Sequence, residues 1–77
     1  MTLYKFNSLS RNNKFQATWD YGQHIETILQ NSLVINLYAV SKFFVEVYYD
    51  QNKNKIVDLK SFKQGHLLDK YSGPIPL

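Results

Sequence analysis

Leu33-Val-Ile-Asn-Leu-Tyr-Ala-Val40 and, two residues on, Phe43-Phe-Val-Glu-Val-Tyr-Tyr-Asp50 decide what kind of fold this chain can have. Both runs have a period of two. Leu33, Ile35, Leu37 and Ala39 share one face of the first, and Phe43, Val45, Val47 and Tyr49 share one face of the second. Alternation built from β-branched and aromatic residues is the mark of a half-buried strand. The pattern predicts strands over 32–40 and 43–50.

C-terminal to these, Asp50-Gln-Asn-Lys-Asn-Lys55 is a polar turn cluster, and a further strand is expected over 55–62. Register can be tested on this hairpin. A four-residue loop at 51–54 pairs odd with even positions and mixes the two faces. A three-residue loop at Asn52–Asn54 keeps them apart, setting Val47 opposite Leu59, Glu46 opposite Lys60 and Phe44 opposite Phe62. A one-residue slip flips every side chain, so the pattern favours the three-residue loop. Asn54 is then the expected left-handed residue, a conformation Asn tolerates.

N-terminal to the deciding stretch, residues 8–21 read as a helix. Ser8 or Ser10 can cap it, Phe15, Thr18 and Trp19 set one face toward the core, and Gly22 can end it in a left-handed conformation. Leu3-Tyr-Lys-Phe6 alternates weakly, as a short strand or extended arm would. Residues 23–30 fit either a strand (Ile25, Thr27, Leu29) or a helix (Ile25, Ile28, Leu29). A strand suits a meander better. At the other end, Ser61-Phe-Lys-Gln64 has the form of a capping box. Leu67, Leu68 and Tyr71 give a short helical face over about 64–72, Gly73-Pro74 stops it, and Pro74–Leu77 is expected to be extended. The fold class is therefore α+β in one domain, 1–77: an N-terminal helix, a four-stranded antiparallel β-meander and a short C-terminal helix.

Composition narrows the function classes. At 77 residues the chain has the length of one domain with a thin core. It has no cysteine, which excludes disulfides and thiolate metal sites. No apolar run approaches the roughly 20 residues of a membrane helix. Met1–Phe6 has no basic region followed by an apolar core, so no secretory signal is expected and the location expected is cytoplasmic. Lys outnumbers Arg eight to one, and Phe, Ile, Tyr and Asn are abundant while Gly, Ala and Pro are scarce. Those are the residues of AT-rich codons, which points to a bacterial, phage or plasmid gene and explains part of the lysine excess.

Catalytic chemistry finds little purchase. A nucleophile needs an adjacent base and a third group to orient that base. His24 and His66 are the only imidazoles, and no elbow motif surrounds any serine. His24-Ile-Glu26 sets two metal-ligand types on one strand face, but a metal site needs three or four. Glu46 and Asp58 could act as a carboxylate pair, yet Lys60 opposite Glu46 reads as ordinary cross-strand charge pairing. No enzyme, cofactor or metal is expected.

Binding is the better class. With Trp19's helix over the odd positions (Leu33, Ile35, Leu37, Phe43, Val45, Val47, Val57, Leu59), the even face still carries Val34, Tyr38, Val40, Phe44, Tyr48, Ile56 and Phe62. Asn36, Glu46, Asp58 and Lys60 punctuate it. Aromatic residues with polar punctuation have the composition of a protein interface. The expected contacts are Tyr38, Phe44, Glu46, Tyr48, Lys60 and Phe62, with a second copy (a homodimer) or another protein as partner. The alternative is single-stranded nucleic acid held by Lys53, Lys55, Lys60 and Lys63 with bases stacked on the same aromatics. Glu46, Asp50 and Asp58 dilute the potential of that face.

Trp19-Asp-Tyr-Gly22, Phe43-Phe-Val-Glu-Val-Tyr-Tyr49, Lys60-Ser-Phe-Lys63 and Leu67-Leu-Asp-Lys-Tyr71 together resemble a group of short, uncharacterised bacterial proteins. The resemblance runs from the first helix to Tyr71 and implies a helix–sheet–helix unit with residues 23–30 as a strand. It implies no activity and no ligand. The reading that results is a small non-enzymatic interaction or regulatory module, encoded on a mobile element.

Overall fold

Thr2 and Ser10 each open a helix. In the computed structural model, which describes residues 1–63, the Thr2 hydroxyl accepts from the Lys5 amide at 3.1 Å and begins α1, Leu3–Asn7. Ser10 accepts from the Asn13 amide at 3.3 Å and begins α2, Arg11–Tyr21. Each cap satisfies an amide that a helix start leaves without an internal partner.

Two expectations change here. Leu3–Phe6 is helical, not extended. A five-residue helix is far below the roughly 12–15 residues at which a helix is even marginal in water, so packing must hold it. Phe6 is fully buried, its ring 5.3 Å from that of Phe43, and burial of this kind contributes about 1.5–3 kcal/mol. Ser8 then closes α1, its hydroxyl donating to the Lys5 carbonyl at 2.7 Å. The helix expected from residue 8 therefore begins at Arg11.

Gly22 ends α2 in an extended conformation, φ −81° and ψ 146°, so the left-handed cap expected of it does not form. Glycine is required for space instead. A Cβ here would lie 2.4 Å from the Thr18 carbonyl oxygen and 3.3 Å from the Cβ of Tyr38.

Four strands follow: β1 Gln23–Gln30, β2 Leu33–Val40, β3 Phe43–Asp50 and β4 Lys55–Phe62. They form one antiparallel sheet in the order β1-β2-β3-β4, the meander expected, with residues 23–30 as a strand. Two-residue loops join β1 to β2 and β2 to β3, and the first loop residue of each, Asn31 and Ser41, has φ 56°. Positive φ at a two-residue loop matches the twist of the flanking strands.

The β3–β4 hairpin departs from the expected loop yet reaches the expected register. Asp50 pairs with Lys55 and Tyr49 with Ile56, leaving a four-residue loop at 51–54. The register then shifts between Tyr48 and Tyr49, with Val57 as the extra residue. Beyond this bulge Val47 faces Leu59, Glu46 faces Lys60 and Phe44 faces Phe62. One inserted residue undoes the parity error of the four-residue loop. Asn54 is left-handed, φ 55°.

The larger correction concerns the faces. Val40 pairs with Phe43 and Tyr38 with Val45. The two-residue loop at Ser41-Lys42 thus sets even positions of β2 beside odd positions of β3. The expected odd core does not exist as one face. The helices pack over Tyr38 and Val40 of β2, Phe43, Val45 and Val47 of β3, and Leu59 of β4, through Leu3, Phe6, Leu9, Phe15 and Ala17. Leu33, Ile35 and Leu37 share the other face with Phe44, Glu46, Tyr48 and Phe62. There Leu37, Phe44 and Phe62 cluster with Ile25, Ile28 and Ala39. Within α2 the buried residues are Ala17 and Thr18, while Trp19, expected in the core, is 46% exposed. The helix expected at 64–72 and the extended tail lie outside the described residues.

Candidate functional site

The six residues expected to form one contact face do not share it. Tyr38 lies on the helix side, opposite Val45, whereas Phe44, Glu46, Tyr48, Lys60 and Phe62 lie on the second face. The parity change at Ser41-Lys42 is the reason. Of those five, Phe44, Glu46 and Phe62 are buried, and only Tyr48 and Lys60 retain accessible surface. The Phe44 and Phe62 rings stack at 5.8 Å. Glu46 accepts from the Tyr48 hydroxyl at 2.9 Å, and the Lys60 ammonium sits 5.1 Å from the centre of the Tyr48 ring. Glu26, Glu46 and Tyr48 each make a further interaction, so none stands without a partner. Glu46 is thus a satisfied buried carboxylate in a sheet, with its charge-assisted hydrogen bond offsetting the cost of burial. Asp58, the other half of the considered carboxylate pair, lies opposite Tyr48 and accepts from the Leu59 amide at 2.8 Å.

The four lysines are similarly dispersed. Lys53 lies in the β3–β4 turn and Lys55 beside it opposite Asp50, whose carboxylate accepts from the Asn52 and Lys53 amides. Lys63 lies beyond the far end of β4, eight residues or about 26 Å along from Lys55. It lines a hollow with Met1, Lys42 and Phe43. Only Lys60 lies beside the second-face aromatics. The acids Glu26, Glu46, Asp50 and Asp58 all belong to that second face. The helices carry Lys5, Arg11 and Lys14 against the single acid Asp20. The cationic side of the described protein is the helix side.

A bulge also separates His24 from Glu26. The β1–β2 register shifts between these two residues, so His24 faces Tyr38 on the helix side and Glu26 faces Leu37 on the other. The expected shared strand face does not form. Among the described residues no three His, Asp or Glu side chains converge as metal ligands. Two surface hollows have volumes of about 140 and 180 Å³, below the roughly 300–1,000 Å³ of ordinary small-molecule sites.

What the fold does assemble lies where α2 runs onto β1. The Trp19 ring meets the edge of Tyr38 at 5.6 Å and stacks near Phe15 at 6.2 Å. His24 meets Tyr38 at 5.5 Å from the other side. Burial raises the Tyr38 hydroxyl pKa above its ordinary value of 10.0. From His24 a hydrogen-bond chain runs across the sheet: Nε2 lies 2.8 Å from the Thr27 hydroxyl, which donates to Asn36 Oδ1 at 2.6 Å. With its proton committed to Asn36, the hydroxyl receives the imidazole N–H. The chain holds the His24 ring and the Thr27 hydroxyl in fixed positions on the helix-side face. Leu29, 64% exposed, continues this face of β1 beside Val34. Tyr21, 66% exposed, ends α2 just before Gly22.

This shelf of Trp19, Tyr38, His24, Thr27, Asn36 and Leu29 was not legible in the sequence. Its parts come from three elements, and the bulge at Ile25 hides the alternation that would have placed His24 with Thr27 and Leu29. The pairing of Thr27 with Asn36 was the available signal, since a two-residue Asn31-Ser32 loop sets these residues opposite each other. No protein-family model, curated protein or solved structure matches this chain.

Proposed function

We propose that this protein is a small non-enzymatic interaction module that meets a protein partner on the helix side, where α2 runs onto β1. The observation that carries this is the pair of large aromatic side chains left open there, Trp19 at 46% and Tyr21 at 66% exposure, with Leu29, 64% exposed, on the same sheet face toward the far end of β1. Partly open aromatics around satisfied polar groups have the composition of an interface core. The hydrogen-bonded His24–Thr27–Asn36 chain adds polar contacts held in fixed positions, so little ordering is lost on binding. The partner in this reading is a second copy or another protein of a bacterial host, which also accords with the AT-rich composition and a mobile-element origin. Light scattering behind size-exclusion chromatography over a micromolar dilution series tests the first form. Self-association gives twice the chain mass, and Leu29→Lys returns it to the monomer. A strict monomer at all concentrations removes that form. Undiminished binding of a native partner by a Trp19→Ala/Leu29→Lys variant overturns the rest.

A second reading, single-stranded nucleic acid, is favoured by the distribution of charge. Lys5, Arg11 and Lys14 share the helix side with the open aromatics Trp19 and Tyr21. Stacking beside cations is how single strands are held without sequence preference. Anisotropy of a labelled oligothymidylate, titrated with salt, tests it. Phosphate-driven binding falls steeply as salt rises, and no binding at low salt retires the reading.

A further inference from the structure

We propose that the outer edge of β1 pairs antiparallel with β1 of a second copy, so that one sheet runs through the dimer. The sheet has two edges, β1 and β4, and they are built differently. β4 carries the devices that keep an edge from pairing. Lys55 and Lys60 lie on it, Val57 bulges from it, and the Arg11 guanidinium donates to the Val57 carbonyl at 3.4 Å. α1 packs beside β4, and the Ser61 hydroxyl donates to Asn7 Oδ1. Beyond its bulge at Ile25, β1 has none of this. Glu26–Gln30 run in unbroken register with Leu33–Leu37 and contain no lysine or proline. Among the described residues nothing pairs with their outer side. Thr27, Leu29 and Gln30 are exposed.

The backbone groups on this edge select the occupant. Gln30 and Leu33 flank a two-residue loop, and the residues flanking such a turn are hydrogen-bonded to each other. Alternation then turns the N–H and C=O of Thr27 and Leu29 away from β2. The 2.6 Å bond from the Thr27 hydroxyl to Asn36 Oδ1 agrees, because side chains lie closest in a pair that exchanges no backbone bonds. A two-fold axis beside Ile28 satisfies the open groups with a second β1. Thr27 of each chain exchanges both backbone bonds with Leu29 of the other, and Ile28 stands against Ile28. On the helix side Leu29 then covers Thr27 of the second copy. On the other side Glu26 stands opposite Gln30. Registers nearer the N-terminus bring the Ile25 bulge into the ladder and set Glu26 opposite Ile28 or opposite Glu26, where like charges repel. A strand that complements itself about one axis is what an isologous interface requires. Leu29 belongs to the partner surface proposed above, so this inference rests on the self-association form of that reading and gives it a geometry.

Nuclear Overhauser contacts filtered for intermolecular pairs, in a mixture of labelled and unlabelled full-length chains, test the register. The expected contact is between the α-protons of Ile28 in the two copies, which lie closest in a pair without backbone bonds. Leu29→Pro removes one outward N–H from each copy and none that bonds β2, as an edge strand tolerates. Its dissociation constant in light scattering should rise roughly thirtyfold, with two hydrogen bonds lost, while its proton–nitrogen spectrum stays dispersed. A strict monomer overturns this inference together with the self-association form of the function. A dimer without intermolecular contacts from Ile28, which Trp19→Ala dissociates and Leu29→Pro does not, overturns the edge pairing alone.

Discussion

Replacing Gly22 separates two reasons for a glycine at the end of α2. A Cβ at this position would stand 2.4 Å from the Thr18 carbonyl oxygen, 0.6 Å inside the 3.0 Å limit that real Cβ atoms keep. The obstacle is backbone, so it cannot swing aside as a side chain tip would. Relief requires α2 to move away from β1, and this stretches the Gly22 amide bond to that same carbonyl, now 2.9 Å. Overpacking of this kind costs about 1–3 kcal/mol, and a weakened hydrogen bond about 1 kcal/mol more. Gly22→Ala should therefore lose about 2–4 kcal/mol. A domain of this length has a total stability of roughly 4–12 kcal/mol, and each kcal/mol shifts Tm by about 4–8 °C, so thermal and urea melts followed by circular dichroism read the effect easily. Gly22→Asn is the discriminating variant. Were Gly22 needed for a left-handed cap, Asn would recover much of the loss, since it visits that region readily. In the observed extended conformation Asn carries the same Cβ into the same carbonyl and recovers nothing. A Gly22→Ala protein within about 0.5 kcal/mol of the parent, the ordinary range for an innocuous surface change, or a clear advantage of Asn over Ala, refutes the steric account.

Three further perturbations probe the sheet. Deleting Val57 removes the bulge yet leaves Ile56 opposite Tyr49 and Asp58 opposite Tyr48 in a continuous ladder. The faces are kept, so the fold should survive with full amide dispersion in a proton–nitrogen spectrum; loss of dispersion would show that Val57 does more than fill the bulge. Ser41→Gly relieves a left-handed serine, φ 56°, and should raise stability by about 0.5–1 kcal/mol in urea melts, the strain of that region less the extra chain entropy of glycine. The Tyr38 hydroxyl pKa is raised by burial, so its neutral form favours the folded state. That contribution is complete below pH 10 and is lost as pH climbs through the higher folded value. Melts of Tyr38→Phe against the parent between pH 9 and 12 should show a shallower fall for the variant, and parallel curves would contradict the burial argument.

The strands from residue 33 on and the helix after Ser10 were legible because each depends on neighbours along the chain, whereas α1, held by the burial of Phe6, was not. Period two across 33–40 and 43–50 can only be satisfied by strands with two sides, and the charge and aromatic pairs of 44–48 against 58–62 choose one register. Cap chemistry at Ser10 was legible for the same reason. The hairpin at 41–42 was also open to arithmetic: strands ending at Val40 and resuming at Phe43 pair odd with even. What concealed this was composition. Both faces of β2 and β3 are apolar, so hydrophobicity alone gave no signal of which residues face the helices.

Sequence by itself determined that strands run over 32–40, 43–50 and 55–62 after a helix, and it left 23–30 open between strand and helix. Only the tertiary structure decided which face the helices take, that Phe44, Glu46 and Phe62 are buried, and that His24, Thr27, Asn36, Tyr38 and Trp19 come together. The physical reason is the range of the forces involved. Periodicity and capping act over a few residues and are written in the order of the chain. The bulges at Ile25 and Val57 each insert one residue to reconcile a loop with a packed face, and the gain that selects them comes from side chains distant in sequence.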